Sequence, residues 1–334
     1  MKLNTVNQSV QEFKLKAMKP TRFGFGEGLR DLGKKHTEII AIGADISSSV
    51  SMNYFKDEFP ERFFSFGIAE QNIIGVAAGL ALSGKVPFFA TYGVFAALRT
   101  TDQIRILLCY NNVNVKIGGA HAGISVGPDG ATHQALEDIA VMRVLPNMTV
   151  LSPCDATQTR LAAIAAYEQV DGPVYIRFGR EAVPDFTPVD LGFEVGKGQV
   201  FRKGNDCTII ATGHLTWEAM KAAKELEKDG ISVMIVNLHT IKPIDRELII
   251  KCAGSTGAIV TAEEHQIYGG MGSAVAEVLA KSYPVPIEFI GMDDSFGESG
   301  QPGELMEKYK MTATHIAVAC NKVIKRKSDF KLKI

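Results

Sequence analysis

Short runs of Ile, Val and Phe recur along the chain, and longer stretches with helical spacing separate them. The runs EIIAIGAD (38–45), FFSFGI (63–68), VPFFAT (86–91), VNVKIGG (113–119), MTVLSP (148–153) and GPVYIRFGR (172–180) predict strands. Between them, residues 69–82 place Ile73, Ile74, Ala77, Leu80 and Ala81 on one helix face. Residues 92–110 and 155–169 also predict helices, the latter with Asp155 as its cap. Alternation of strand and helix means βαβ units and a mostly parallel sheet.

A second series follows a loop holding Pro184, Pro188 and Gly192. It has strands at 206–213, 231–238, 257–264 and 286–292, and helices at 217–230 and 272–282. The expected fold is therefore α/β with two domains, each a mostly parallel sheet flanked by helices. The expected division is an N-terminal extension over 1–19, a first domain over 20–188, a second over 189–325 and a basic, solvated tail over 326–334. At about 150 residues per domain, the 334 residues suit that division.

Composition narrows the class without naming a chemistry. The chain is 46% hydrophobic and 22% charged, with a formal net charge of −1. That excludes a disordered chain and argues against a nucleic-acid binder, which carries a basic surplus. Five scattered cysteines form no C-x-x-C pair, so neither a disulfide framework nor a zinc site is expected, and a reducing cytoplasm is. The first twenty residues hold no apolar signal region, and Lys85 and Pro87 interrupt the most membrane-like stretch.

Several motifs fail on their context. Gly123-Ile124-Ser125-Val126-Gly127 matches the nucleophile elbow, but Pro128, Asp129 and Gly130 follow where a helix is required. Gly270-Met271-Gly272 lacks the third glycine of a dinucleotide fingerprint and reads as a tight turn packing a helix close to a sheet. His121, Asp129 and His133 match no standard zinc spacing. They stand instead on a polar, glycine-rich loop just after a predicted parallel strand, where α/β folds place ligands.

Glu70 opens an otherwise apolar helix. Its position fits either a first-turn carboxylate favoured by the helix dipole or a partly buried acid sharing a proton with a ligand nitrogen. Three segments weigh on that choice. Gly67-Ile68-Ala69-Glu70-Gln71 resembles the G-I-x-E motif of thiamine-diphosphate enzymes of the transketolase superfamily. Asp129-Gly130-Ala131-Thr132-His133-Gln134 resembles the D-G-P-T-H-Q loop of transketolases. Arg22 and Ser49, with Gly43-Ala44-Asp45 between, resemble the start of their pyrimidine-binding domain. The resemblance runs over roughly residues 20–325.

It implies that Glu70 bonds the aminopyrimidine ring nitrogen and acts catalytically with His133. Tyr92 and Phe95 would stack on the pyrimidine. Asp129 would recognise a sugar hydroxyl, and Arg22, Ser49, His121 and Arg180 a sugar phosphate, with His133 near the substrate carbonyl. Two guanidiniums suit a dianion. Transketolases hold the diphosphate and Mg²⁺ through Gly-Asp-Gly followed by Asn-Asn, and no Gly-Asp-Gly occurs here. The resemblance is thus to the C-terminal half of a split-gene transketolase. The expected partner is an N-terminal subunit carrying the diphosphate and Mg²⁺ site, in an α2β2 heterotetramer.

The implied activity is that of a transferase moving a two-carbon ketol unit between sugar phosphates, as in the pentose phosphate pathway. Leu98 replaces a third aromatic, and His121-Ala122-Gly123 departs from the common His-Asp-Ser. Alternatives are a 1-deoxyxylulose-5-phosphate synthase-like enzyme, a 2-oxo-acid dehydrogenase β subunit, and a regulatory or scaffold paralogue. Glu70, Asp129 and His133 together argue against the last.

Overall fold

A computed structural model describes residues 13–331. Twelve strands form two sheets. The first sheet takes β2 (Ile39–Gly43), β3 (Phe63–Ser65), β4 (Val86–Tyr92), β5 (Lys116–Ala120), β6 (Thr149–Leu151) and β7 (Val174–Arg177). All six are parallel, in the order β6-β7-β5-β4-β2-β3. The strands predicted from unbroken apolar runs are buried along their length, as in β2 and β5, because helices cover both sheet faces. The run at 63–68 yields only a three-residue, largely exposed edge strand.

The second sheet, β14-β13-β10-β11-β9, joins β10 (Cys207–Ala211), β11 (Val233–Asn237), β13 (Ile259–Gln266) and β14 (Ile287–Met292) in parallel. Antiparallel β9 (Gln199–Arg202) closes one edge. The result is two α/β units with mostly parallel sheets flanked by helices. They are not independent. β12 (Thr240–Lys242) leaves the second unit to pair antiparallel with β6, and one apolar cluster contains Ile117 and Val150 together with Ile210, Val236 and Ile259.

Regular structure reaches into both expected terminal segments. The strand β1 (Ala17–Pro20) pairs antiparallel with β8 (Ala182–Asp185), so regular structure starts before residue 20; residues 1–12 of the expected extension lie outside the described residues. The helix Ala313–Lys331 runs into the expected tail, where Arg326, Ser328 and Asp329 are exposed. Arg326 pairs with Glu288, and Lys327 Nζ donates to the carbonyls of Asp206 and Thr256 at 2.7 and 2.8 Å. Thr256 ends the helix Arg246–Thr256, where a cation meets unpaired carbonyls and the negative end of the dipole. Among the described residues no helix is long and apolar enough to cross a membrane.

The continuous helix expected over 92–110 is also broken. Wide turns run over Phe95–Arg99 and Ile104–Tyr110, with a single α turn at Thr101–Gln103 between them. Thr100 and Thr101 donate their hydroxyls to the carbonyls of Ala96 and Ala97. Such back-bonding competes with the regular ladder and bends a helix.

Gly270-Met271-Gly272 behaves as a close-packed helix start. A Cβ on Gly270 would lie 2.3 Å from the Glu263 carboxylate, which accepts the N–H groups of Met271 and Gly272 at 2.6 and 2.8 Å. Burial raises the pKa of Glu263 to about 7, outweighing those two bonds. The folded state therefore holds this proton more tightly than the unfolded chain, whose carboxyl titrates near 4.5. The stabilisation is complete below that value and is lost as pH climbs through about 7. Urea unfolding should thus show a decline on the order of 3 kcal/mol between about pH 5 and pH 8. Glu263→Gln should flatten it, and identical profiles for the two proteins would refute the assignment.

Candidate active site

The candidate residues gather largely at the carboxyl ends of β2, β3, β4, β5 and β7. Glu70 is the first residue of the helix Glu70–Leu82 and is only 3% exposed. Its carboxylate accepts a hydrogen bond from Arg99 at 2.9 Å. Arg99 also lies over the Phe95 ring, 4.0 Å from its centroid. The guanidinium therefore stacks on an aromatic face and bonds the buried acid at once.

From Phe95 the site continues through rings. Phe95 and Tyr92 are 5.9 Å apart, and His133 stands 5.6 and 5.7 Å from them. Tyr92 covers His121 at 4.2 Å. An open groove of ≈ 530 Å³ meets this row at Phe95, lined also by Leu98, Arg99, Thr132, Gln134 and Phe296. Leu98, where a third ring was absent, is half exposed at its edge.

The cationic end lies beyond His121. Arg180 Nη1 donates to the Val126 carbonyl at 2.9 Å and meets the Asp129 carboxylate at 3.3 Å. Arg22 Nη1 donates to the carbonyl of Ser49, not to its hydroxyl, at 2.9 Å. Burial and then Arg180 lower the pKa of Arg22, so two like charges are held close. Burial, followed by Arg22, Arg180 and His133, lowers that of His121 to about 3, leaving a neutral imidazole. Two buried nitrogens, Arg22 Nε and His121 Nδ1, have no hydrogen-bond partner among the described residues. An unpartnered guanidinium donor beside a second arginine is chemistry that suits an anion.

The structure thus brings Glu70, Tyr92, Phe95, His121 and His133 into one row, with Arg22, Ser49, Arg180 and Asp129 at its far end. Sequence reasoning missed Arg99. Its signal was the spacing, since position i+4 from Phe95 puts a cation over that ring. It also missed Phe296, which comes from the second unit and had no local pattern to mark it.

Comparison with known proteins gives a concordant picture. The family described as "Transketolase, pyrimidine binding domain" matches residues 17–185, and "Transketolase, C-terminal domain" matches 196–316. The chain is 46% identical over 304 residues to a putative transketolase C-terminal section of Methanocaldococcus jannaschii, covering 90% of this chain and 94% of that one. It is 41% identical to a 6-deoxy-6-sulfo-D-fructose transketolase subunit of a Clostridium species, covering 90% and 93%. A solved structure titled "Split gene transketolase, inactive beta4 tetramer" superposes with a TM-score of 0.86 at 50% identity, covering 92% and 99%.

Proposed function

This chain belongs to the transketolase family, and on that premise we propose that it is the C-terminal half of a two-chain, thiamine-diphosphate-dependent transketolase. It acts with an N-terminal subunit that grips the diphosphate and Mg²⁺, in an α2β2 assembly. The reaction moves a two-carbon ketol unit from a ketose phosphate to an aldose phosphate. The observation that carries this reading is the row from Glu70 through Phe95 and His133 to His121, ending between two arginines.

The residues present fit the pyrimidine end of the cofactor: a buried carboxylate beside an aromatic face, opening on a groove. When bound, thiamine diphosphate supplies the electron-sink chemistry that no side chain offers. Glu70 holds a proton at the pyrimidine ring nitrogen, its burial strengthening that bond. Tyr92 and Phe95 orient the ring and exclude water. His133 stands beside the aromatic row, where it can exchange a proton with a substrate oxygen. Asp129 accepts from a sugar hydroxyl. Arg22 and Arg180 meet the phosphate charge bidentately, while the neutral His121 and Ser49 supply hydrogen bonds without adding a third cation.

Relatives are named for a sulfonated fructose and for apulose 4-phosphate, so what their named substrates share is a sugar with an anionic group, which the two arginines suit. The test is reconstitution with the subunit encoding Gly-Asp-Gly and Asn-Asn. The pair should convert xylulose and ribose phosphates, and this chain alone should bind thiamine diphosphate with Mg²⁺ only weakly by calorimetry. Tight binding by the single chain would overturn the divided site. Turnover of pyruvate with glyceraldehyde phosphate instead would move the assignment to a deoxyxylulose phosphate synthase.

A further inference from the structure

The loop bearing Asp129 and His133 is gripped by the second unit. Glu264, near the end of β13, is 4% exposed. Its carboxylate accepts the Ser125 N–H and pairs with His214 Nδ1 at 2.9 Å. Gly123, with φ of +89°, passes so close that a Cβ there would sit 2.2 Å from the Glu264 carboxyl carbon. The backbone carbonyl of Glu264 accepts from Arg177 at 2.7 Å, and the same Arg177 nitrogen donates to Ala135 O at 3.0 Å. The segment is therefore tied to β13 at Gly123–Ser125 and again at Ala135, on either side of Asp129 and His133. Gln134 adds bonds to the carbonyls of Ile124 and, across the units, Glu298.

A buried carboxylate needs a counter-charge, or its desolvation outweighs what its hydrogen bonds return. His214, just ahead of the helix Leu215–Lys228, provides it. Burial works against ionisation of Glu264, yet the His214 and Arg177 charges overcome it and hold the carboxyl below its usual range. The narrow space beside the pair, bounded also by Ser125, Ser152 and Arg177, measures ≈ 20 Å³. That has room for about one water, so the pair acts by holding the loop and not by touching a sugar.

We propose that His214 and Glu264 are positioning residues, a second-unit clamp that sets the backbone of residues 123–135 and so places Asp129, His133 and, through the Val126 carbonyl, Arg180. The proposal rests on reading those three as the sugar phosphate site. The clamp does not include Glu70, Phe95 or Arg99, so its loss should separate substrate binding from cofactor binding.

In the two-chain holoenzyme, His214→Ala should raise KM for the ketose phosphate about tenfold, roughly 1.4 kcal/mol. The Kd for thiamine diphosphate and the assembly state should remain within about twofold, which is under ~0.5 kcal/mol. His214→Gln, whose amide can still donate to Glu264, should recover most of the loss. Hydrogen exchange on the chain alone gives a second readout: amides of 123–135 should exchange faster in His214→Ala and near the native rate in His214→Gln, with the Glu70–Leu82 helix unchanged. Unaltered loop exchange, or an unchanged KM in an active holoenzyme, overturns the proposal. A wild-type pair that turns over no sugar phosphate would sink the transketolase reading instead, and exchange would still decide whether the clamp holds the loop.

Discussion

Glu70→Ala in the reconstituted enzyme should cut turnover roughly a thousandfold, within the 10²–10⁴ that a positioned proton-transfer group supplies. Assembly should survive. Glu70 is buried, but its partner Arg99 is 42% exposed and can turn to water when the acid is gone. The variant thus strands no charge, and unfolding should shift by less than about 1 kcal/mol. Glu70→Gln preserves shape and one acceptor but cannot hold the acidic proton, so it should be almost as slow. Near-native turnover in either variant would remove Glu70 from the mechanism. Arg99 sharpens the test, because its guanidinium lies on Phe95 and against Glu70, the two groups assigned to the pyrimidine. It must move aside for the ring to bind, so Arg99→Met should tighten cofactor binding severalfold, by about 1 kcal/mol. Unchanged or weaker binding would mean that the ring seats elsewhere.

The legible parts of the fold were those where one force dominates. β4 and β10 are buried throughout or nearly so, and their sequences are plain apolar runs. The helix Thr21–Lys35 was not legible, because its four glycines argue against a helix. Packing overrides propensity there: a Cβ on Gly24 would lie 1.9 Å from the carbonyl of Ala156, so only glycine lets this helix sit against its neighbour. The helix Arg246–Thr256 did carry signals, an Asp245 cap bonded to Leu248 N–H and a left-handed Gly257 after its end. In the site, Glu70 stood out as a charge opening an apolar helix, and the 121–134 loop by its density of polar groups. What stayed hidden was whatever depends on two distant segments meeting, such as Glu264 against Ser125. One such contact left a trace, since Arg177 interrupts an apolar strand between Ile176 and Phe178. A cation inside a buried run demands a partner.

That partner is Asp138, and breaking the pair should be the largest stability effect in the molecule. Arg177 Nε meets the Asp138 carboxylate at 2.9 Å with side-chain exposures of 6% and 0%, and Tyr175 donates its hydroxyl to the same carboxylate at 2.8 Å. Arg177→Met fills similar space but leaves a buried carboxylate with only a phenol for company. Loss of one member of such a pair costs about 3–5 kcal/mol, measurable by denaturant unfolding. The double variant Arg177→Met with Asp138→Leu removes both charges and should regain much of that, because a buried ion pair and an apolar pair differ little in net stability. The recovery should be incomplete, since Arg177 also bonds the carbonyls of Glu264 and Ala135; the first loses this donor in the double variant, and the second keeps only the Gly123 N–H. The double-mutant cycle separates these terms. A single variant costing under about 1 kcal/mol would show that water reaches Asp138 and that the pair is not buried as an isolated charge pair.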